Sequence, residues 1–144
     1  MVLTVVAHPD DEIIWFDPKG KIIIAFADRE DRPGFGDRRR EAIKEHPLKP
    51  ELVGLTESNY WRDKGKVVKH QENFDALVTY LKRYNPEIVY THNADGEYGH
   101  DDHILVHEAV HKAFNCEIRE SGEFYQDLFN KIKPIYEKHQ VWTW

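Results

Sequence analysis

The stretch Thr4-Val5-Val6-Ala7-His8-Pro9-Asp10-Asp11-Glu12 sets a histidine and three carboxylates at the end of an apolar run. His8 and Asp11 are three residues apart in a Pro-containing turn, so an imidazole nitrogen and a carboxylate oxygen can converge on one cation. That is a borderline N/O pair suited to Zn²⁺. Asp10, beside a ligand but pointing elsewhere in the turn, is a spare carboxylate of the kind that takes a proton from water at a metal site. An acidic turn capping a helix, with Asp10 or Asp11 bonding free N–H groups at its start, explains the same residues without a metal. Alone, the stretch supports both readings equally.

A second cluster, His100-Asp101-Asp102-His103, follows the turn-rich segment Thr91 to Gly99. His100, His103, His107 and His111 recur at spacings of 3, 4 and 4, which invites a metal stripe on one helix. At about 100° per residue, however, Leu105, Val106, Ala109, Val110 and Ala113 form the core face, and His107 and His111 lie opposite it, toward solvent. His103, in the first turn and at the edge of the apolar stripe, is the best third ligand. A rival pairing of His103 with His107 is geometrically sound but leaves His8 and Asp11 without a purpose. His46, His70 and His139 read as surface or packing residues. The role of His92, in the loop leading into the site, stays open.

These residues need elements to hold them. Val2 to Ala7 is the continuous apolar run of a strand covered on both faces, and Lys21 to Ala27 is a second. Between Glu12 and Lys21 there is too little chain for an ordinary parallel crossover. Either the crossover is one helical turn or the second strand lies elsewhere. Asp28 to Arg40 is a charged loop on the ligand-binding side, after which Asp37 is expected to cap a helix to about His46. Arg38, Arg39 and Arg40 in its first turn oppose the helix dipole, which calls for an anion or for pairing with Asp28, Glu30 or Asp31. Leu52 to Leu55 is a short strand, Thr56 to Gly65 an irregular loop with Trp61, and Val67 to Tyr84 a helix with Phe74, Leu77, Val78 and Leu81 on its core stripe. Ile88 to Tyr90 is another buried strand, and a helix runs from the second cluster to about Phe114. The order predicts a layered α/β fold with a mostly parallel sheet, both clusters lying at strand carboxyl ends.

At 144 residues the chain is expected to be one domain, with a core over 1–114 and a helical, aromatic tail over 115–144. A net charge of −6 and a pI near 5.8 argue against nucleic acid or an anionic membrane surface as partner. The single cysteine, Cys116, excludes an internal disulfide and a cysteine-based zinc site. No apolar run approaches the roughly 20 residues that span a bilayer, and no basic leader opens the chain. The expected location is the cytoplasm. Oligomeric state is left open, a homo-oligomer included, as is the choice of packing strand, sugar platform or subunit contact for Trp142 and Trp144.

Ala7-His8-Pro9-Asp10-Asp11-Glu12 together with Gly99-His100-Asp101-Asp102-His103 resembles the LmbE-like, PIG-L-type family of zinc-dependent N-acetylglucosamine de-N-acetylases. The resemblance spans about Met1 to Phe114 and implies a Rossmann-like three-layer fold with zinc held by His8, Asp11 and His103. It further implies that Asp10 is the general base, that His100 stabilises the oxyanion or protonates the leaving amine, and that Asp102 is the carboxylate orienting His100. Arg38, in an Arg-x-x-Glu-Ala context, matches the substrate-contacting arginine. The implied partner is a small-molecule amino-sugar conjugate, with hydrolysis of another small acyl amide or ester, or a non-catalytic metal- or sugar-binding module, as alternatives. Trp15-Phe16-Asp17-Pro18 cuts short a helix that members usually have. Longer members add strands and loops over the sugar where Glu123 to Lys138 is expected here as one helix interrupted at Pro134.

Overall fold

The computed structural model describes residues 1–122 and 124–144. In chain order its elements are β1 (Val2–Val6), α1 (Asp11–Ile14), β2 (Lys21–Arg29), α2 (Phe35–Glu45), β3 (Glu51–Glu57), α3 (Val67–Leu81), β4 (Ile88–Thr91), α4 (Gly96–Gly99), α5 (Asp101–Ala113), β5 (Glu117–Glu120) and α6 (Gln126–Lys138). The strands form one five-stranded sheet in the order β3-β2-β1-β4-β5, parallel at every pairing. Strands without a polar face need cover on both sides. Leu3, Val5 and Ala7 pack with Leu77, Leu81, Val106 and Val110 of α3 and α5. On the other face Val6, Ile22 and Ile24 meet Phe16, beside a cluster in which Ile13, Phe35 and Ala42 of α1 and α2 pack with Ile132 and Tyr136 of α6. The result is a three-layer Rossmann-like fold.

The connections run outward in opposite directions from β1, to β2 on one side and β4 on the other. The carboxyl ends of β1 and β4 therefore border the crevice where open α/β sheets bind ligands. The short first crossover is resolved as one helical turn, α1, since β1 and β2 are parallel neighbours with Leu3 opposite Lys21.

Three expectations change. Asp37 does not cap α2: Gly34 precedes the helix at φ 83°, a left-handed conformation that glycine adopts freely, so α2 starts two residues before Asp37. A fifth strand, β5, occupies a stretch with no strand pattern, because it is an edge strand with only Ile118 apolar and half-buried. The last helix runs through Pro134 rather than breaking there; the start expected at Glu123 lies outside the described residues. No helix among the described residues is long and apolar enough to cross a membrane.

Candidate metal centre

Where β1 ends, Asp11 N–H donates to the His8 carbonyl (3.1 Å), closing the turn before α1 and bringing the Asp11 side chain back over the His8 backbone, whose N–H donates to Asp11 Oδ2 at 2.8 Å. The same oxygen stands 3.1 Å from His8 Nδ1 and 3.2 Å from His103 Nε2. The first turn of α5 delivers His103 there, and all three side chains are buried. His103 Nε2 and Asp11 Oδ1 have no hydrogen-bond partner among the described residues. A buried polar atom without a partner is costly, and here both belong to side chains of this one cluster. Four donors about 2.0–2.1 Å from a zinc ion in a tetrahedron stand about 3.3 Å apart. Two imidazoles and a carboxylate at these spacings fit such an ion.

Around the three donors stand carboxylates that hold the rings. His8 Nε2 lies 3.0 Å from Asp102 Oδ2 and 3.3 Å from Glu57 Oε1. His103 Nδ1 lies 2.8 Å from Glu97 Oε1. Burial alone would depress the His103 pKa, but Asp11 and Glu97 outweigh it and push it up to about 9. His8 is likewise raised, with Glu57, Asp102 and Asp11 overcoming burial. Burial opposes ionisation of Asp11, yet His103 and His8 hold it well below the usual carboxylate range.

Asp10 takes φ 99°, which turns its side chain away from Asp11 and into the interior, where it is fully buried. Thr143 donates to Asp10 Oδ2 through N–H (3.1 Å) and Oγ (2.7 Å), while Oδ1 has no partner among the described residues. Burial and the Asp11 charge push this carboxyl well up, against the Thr143 hydrogen bonds.

His100 caps α5: the Asp102 N–H donates to its Nδ1 at 3.1 Å. The expected carboxylate contact is not formed, because the Asp102 side chain reaches His8 instead. An Nδ1 that accepts from an amide leaves Nε2 to carry the ring proton, and burial together with the neighbouring His8 and His103 pushes the His100 pKa down to about 2.

Arg38, the expected substrate contact, lies on the outer face of α2. It is exposed, because the inward face of α2 carries Phe35, Arg39 and Ala42 at i, i+4 and i+7. Arg39, 2% exposed, donates Nη1 to Ala27 O (3.0 Å) and Glu57 Oε2 (2.7 Å), and its Nε is unpartnered among the described residues. A cleft of about 170 Å³ opens beside the three donors, lined by His8, Asp11, His100, Arg29, Arg39, Glu57, Trp61, Arg62, Tyr98, Thr143 and Trp144. Trp61 lies 4.5 Å from the His100 ring, and Trp144 packs edge-on against Trp15 and Tyr98, whereas Trp142 packs on Phe129.

Of the remaining histidines, His92 is buried and accepts from the Ala7 N–H through Nε2 (3.0 Å). His107 is half-buried, with Nδ1 at 2.8 Å from the His92 carbonyl, and His111 is exposed as the wheel requires. Glu57, Glu97 and Thr143 carry no sequence signal of their own, and Arg39 none that separates it from Arg38 and Arg40; only the fold brings them in.

A family model described as PIG-L: GlcNAc-PI de-N-acetylase matches residues 25–114, a stretch that includes His100, Asp102 and His103 and begins after the His8 turn. A 1D-myo-inositol 2-acetamido-2-deoxy-alpha-D-glucopyranoside deacetylase of Corynebacterium kroppenstedtii is 36% identical over 88 residues, covering 50% of this chain and 23% of the relative. The protein of the same name from Mycobacterium sp. (strain JLS) is 31% identical over 84 residues, 50% of this chain and 27% of its own length. Deacetylase 1 of that name from Saccharopolyspora erythraea is 49% identical over 39 residues, 27% of this chain and 13% of the relative. Each match thus spans about a quarter or less of the relative.

Proposed function

This chain belongs to the PIG-L family, GlcNAc-PI de-N-acetylase, and on that premise we propose that it is a zinc-dependent hydrolase removing the N-acetyl group of an N-acetylglucosamine-type amino sugar or its conjugate. The observation that carries the proposal is the convergence of His8 Nδ1 and His103 Nε2 on Asp11 Oδ2, at 3.1 and 3.2 Å, with His103 Nε2 unpartnered. His8, Asp11 and His103 would hold the ion, which with three protein ligands supplies an open position where water is acidified and an amide carbonyl polarised.

The chain's own groups divide the remaining work. Burial and the Asp11 charge raise the proton affinity of Asp10, and Thr143 occupies Oδ2, leaving Oδ1 to take the proton of the attacking water. His100, neutral and with Nδ1 occupied by the Asp102 amide, donates Nε2–H to the oxygen on which negative charge develops, a contribution of a few kcal/mol in comparable sites. Asp102 and Glu57 hold His8 in place, in the manner of carboxylates behind metal-binding histidines. Arg39, not Arg38, is the arginine placed to meet substrate in the cleft, and Trp61, Tyr98 and Trp144 offer apolar ring faces to a sugar. Replacing His103 by Ala is expected to abolish both zinc retention and amine release, read by metal analysis and an amine assay. Zinc retained at wild-type stoichiometry would contradict the ligand set.

A further inference from the structure

Glu97 occupies a backbone conformation suited to a different residue. Its φ of 61° and ψ of −58° lie in the left-handed half of conformational space, which glycine enters freely and a glutamate does not. Gly96, immediately before it, is also at positive φ (62°), and a Cβ there would meet Ile104 Cγ1 at 2.9 Å. A loop this tight would be easier to build with glycine at 97 as well. What the glutamate brings is its carboxylate. Oε1 stands 2.6 Å from His92 Nδ1 and 2.8 Å from His103 Nδ1, and Oε2 accepts from Asn93 N–H (3.0 Å) and Ser121 Oγ (2.5 Å).

The protons on this pair of rings are assigned by what surrounds them. His92 Nε2 accepts the Ala7 N–H at 3.0 Å, so the His92 proton sits on Nδ1 and points at Glu97. The carboxylate is thereby held from two sides, Oε1 by His92 and Oε2 by Asn93 and Ser121, so that Oε1 faces His103 as a fixed acceptor, and the two rings stack 4.1 Å apart at 16°. With Nδ1–H committed to Glu97, His103 turns Nε2 toward Asp11. We propose that Glu97 is the positioning residue for His103, fixing the tautomer and ring orientation that present Nε2 to the ion shared with His8 and Asp11. The strained backbone persists at residue 97 because this contact needs a side chain there.

The inference rests on the zinc-site reading above, and the test separates the two. Zinc affinity is measured by competition with a chromogenic chelator for the wild-type chain and for Glu97→Gln and Glu97→Gly, with circular dichroism and a denaturation midpoint of each metal-free chain. The expected result is stoichiometric zinc in the wild type and affinity about 10–100-fold weaker in both variants, with the fold of the glutamine variant intact. A wild-type chain that takes up no zinc would overturn both readings. Wild-type uptake with variants within about twofold would overturn the positioning role alone. A glutamine variant that does not fold would also overturn it, making Glu97 a scaffold residue, and the glutamine variant decides if the glycine variant does not fold.

Discussion

Asp10 keeps a backbone conformation that costs a non-glycine residue of order 1–3 kcal/mol, at φ 99°, and its Oδ1 is buried without a partner. Both suit the proton-transfer role proposed for it. Asp10→Asn preserves the shape and an acceptor for Thr143 but removes the basic site. Zinc content is expected to stay stoichiometric while amine release falls about 10²–10⁴-fold; unchanged turnover would remove Asp10 from the base role. The raised His103 pKa, about 9 in the metal-free chain, has its own consequence. Between neutral pH and 9 His103 is protonated, and an ion must displace that proton, so zinc affinity should climb with pH up to about 9. Calorimetry in buffers of different ionisation enthalpy should record proton release on binding at pH 7, and its absence would contradict the pairing with Asp11 and Glu97. At this scale the sequence was partly legible. The spacing of His8 and Asp11 and the helix wheel of His103 are local properties, and they identified three side chains that meet. The partner of the Asp102 carboxylate is a tertiary matter, and no spacing distinguishes His100 from a ring 94 positions away.

Register decides what an element contributes, and α2 shows how finely. Its start at Phe35, set by Gly34, turns Arg39 inward and Arg38 out; a start placed at Asp37 gives no such distinction, and three consecutive arginines look alike in a sequence. Arg39→Ala would strip Glu57 of its buried cation partner, at a cost of about 3–5 kcal/mol. Arg38→Ala should stay within about 0.5 kcal/mol of wild type. Chemical denaturation of the two variants checks the register, and equal costs would contradict it. The strands and α3 were legible because their apolar patterns are continuous or of period 3.6. β5 was not, since three of its four residues are charged and only pairing with β4 makes it a strand.

As a whole, the molecule places two motifs about ninety residues apart at the carboxyl ends of adjacent strands, β1 and β4, and closes the cleft beside them with Thr143 and Trp144. Sheet order makes that juxtaposition, which is why motif order alone pointed to the crevice, while Thr143 left no trace in the sequence and Trp144 was legible only as a choice among packing strand, sugar platform and subunit contact. We propose that residues 1–144 unfold as one domain, so dichroism and tryptophan fluorescence should report a single coincident transition; two separated transitions would contradict this. Because an ion at the site binds only the folded chain, zinc at about 100 times its Kd should add about 2.7 kcal/mol and roughly 5–11 °C to the melting temperature. The most direct test joins metal to chemistry: zinc content of the purified chain, with amine release from N-acetylglucosamine and its inositol-, lipid- and nucleotide-linked forms, with and without a chelator. The expected result is one zinc per chain and amine release that the chelator abolishes and added zinc restores. A chain that holds no zinc after reconstitution, or releases amine equally well without it, would contradict the site built on His8, Asp11 and His103.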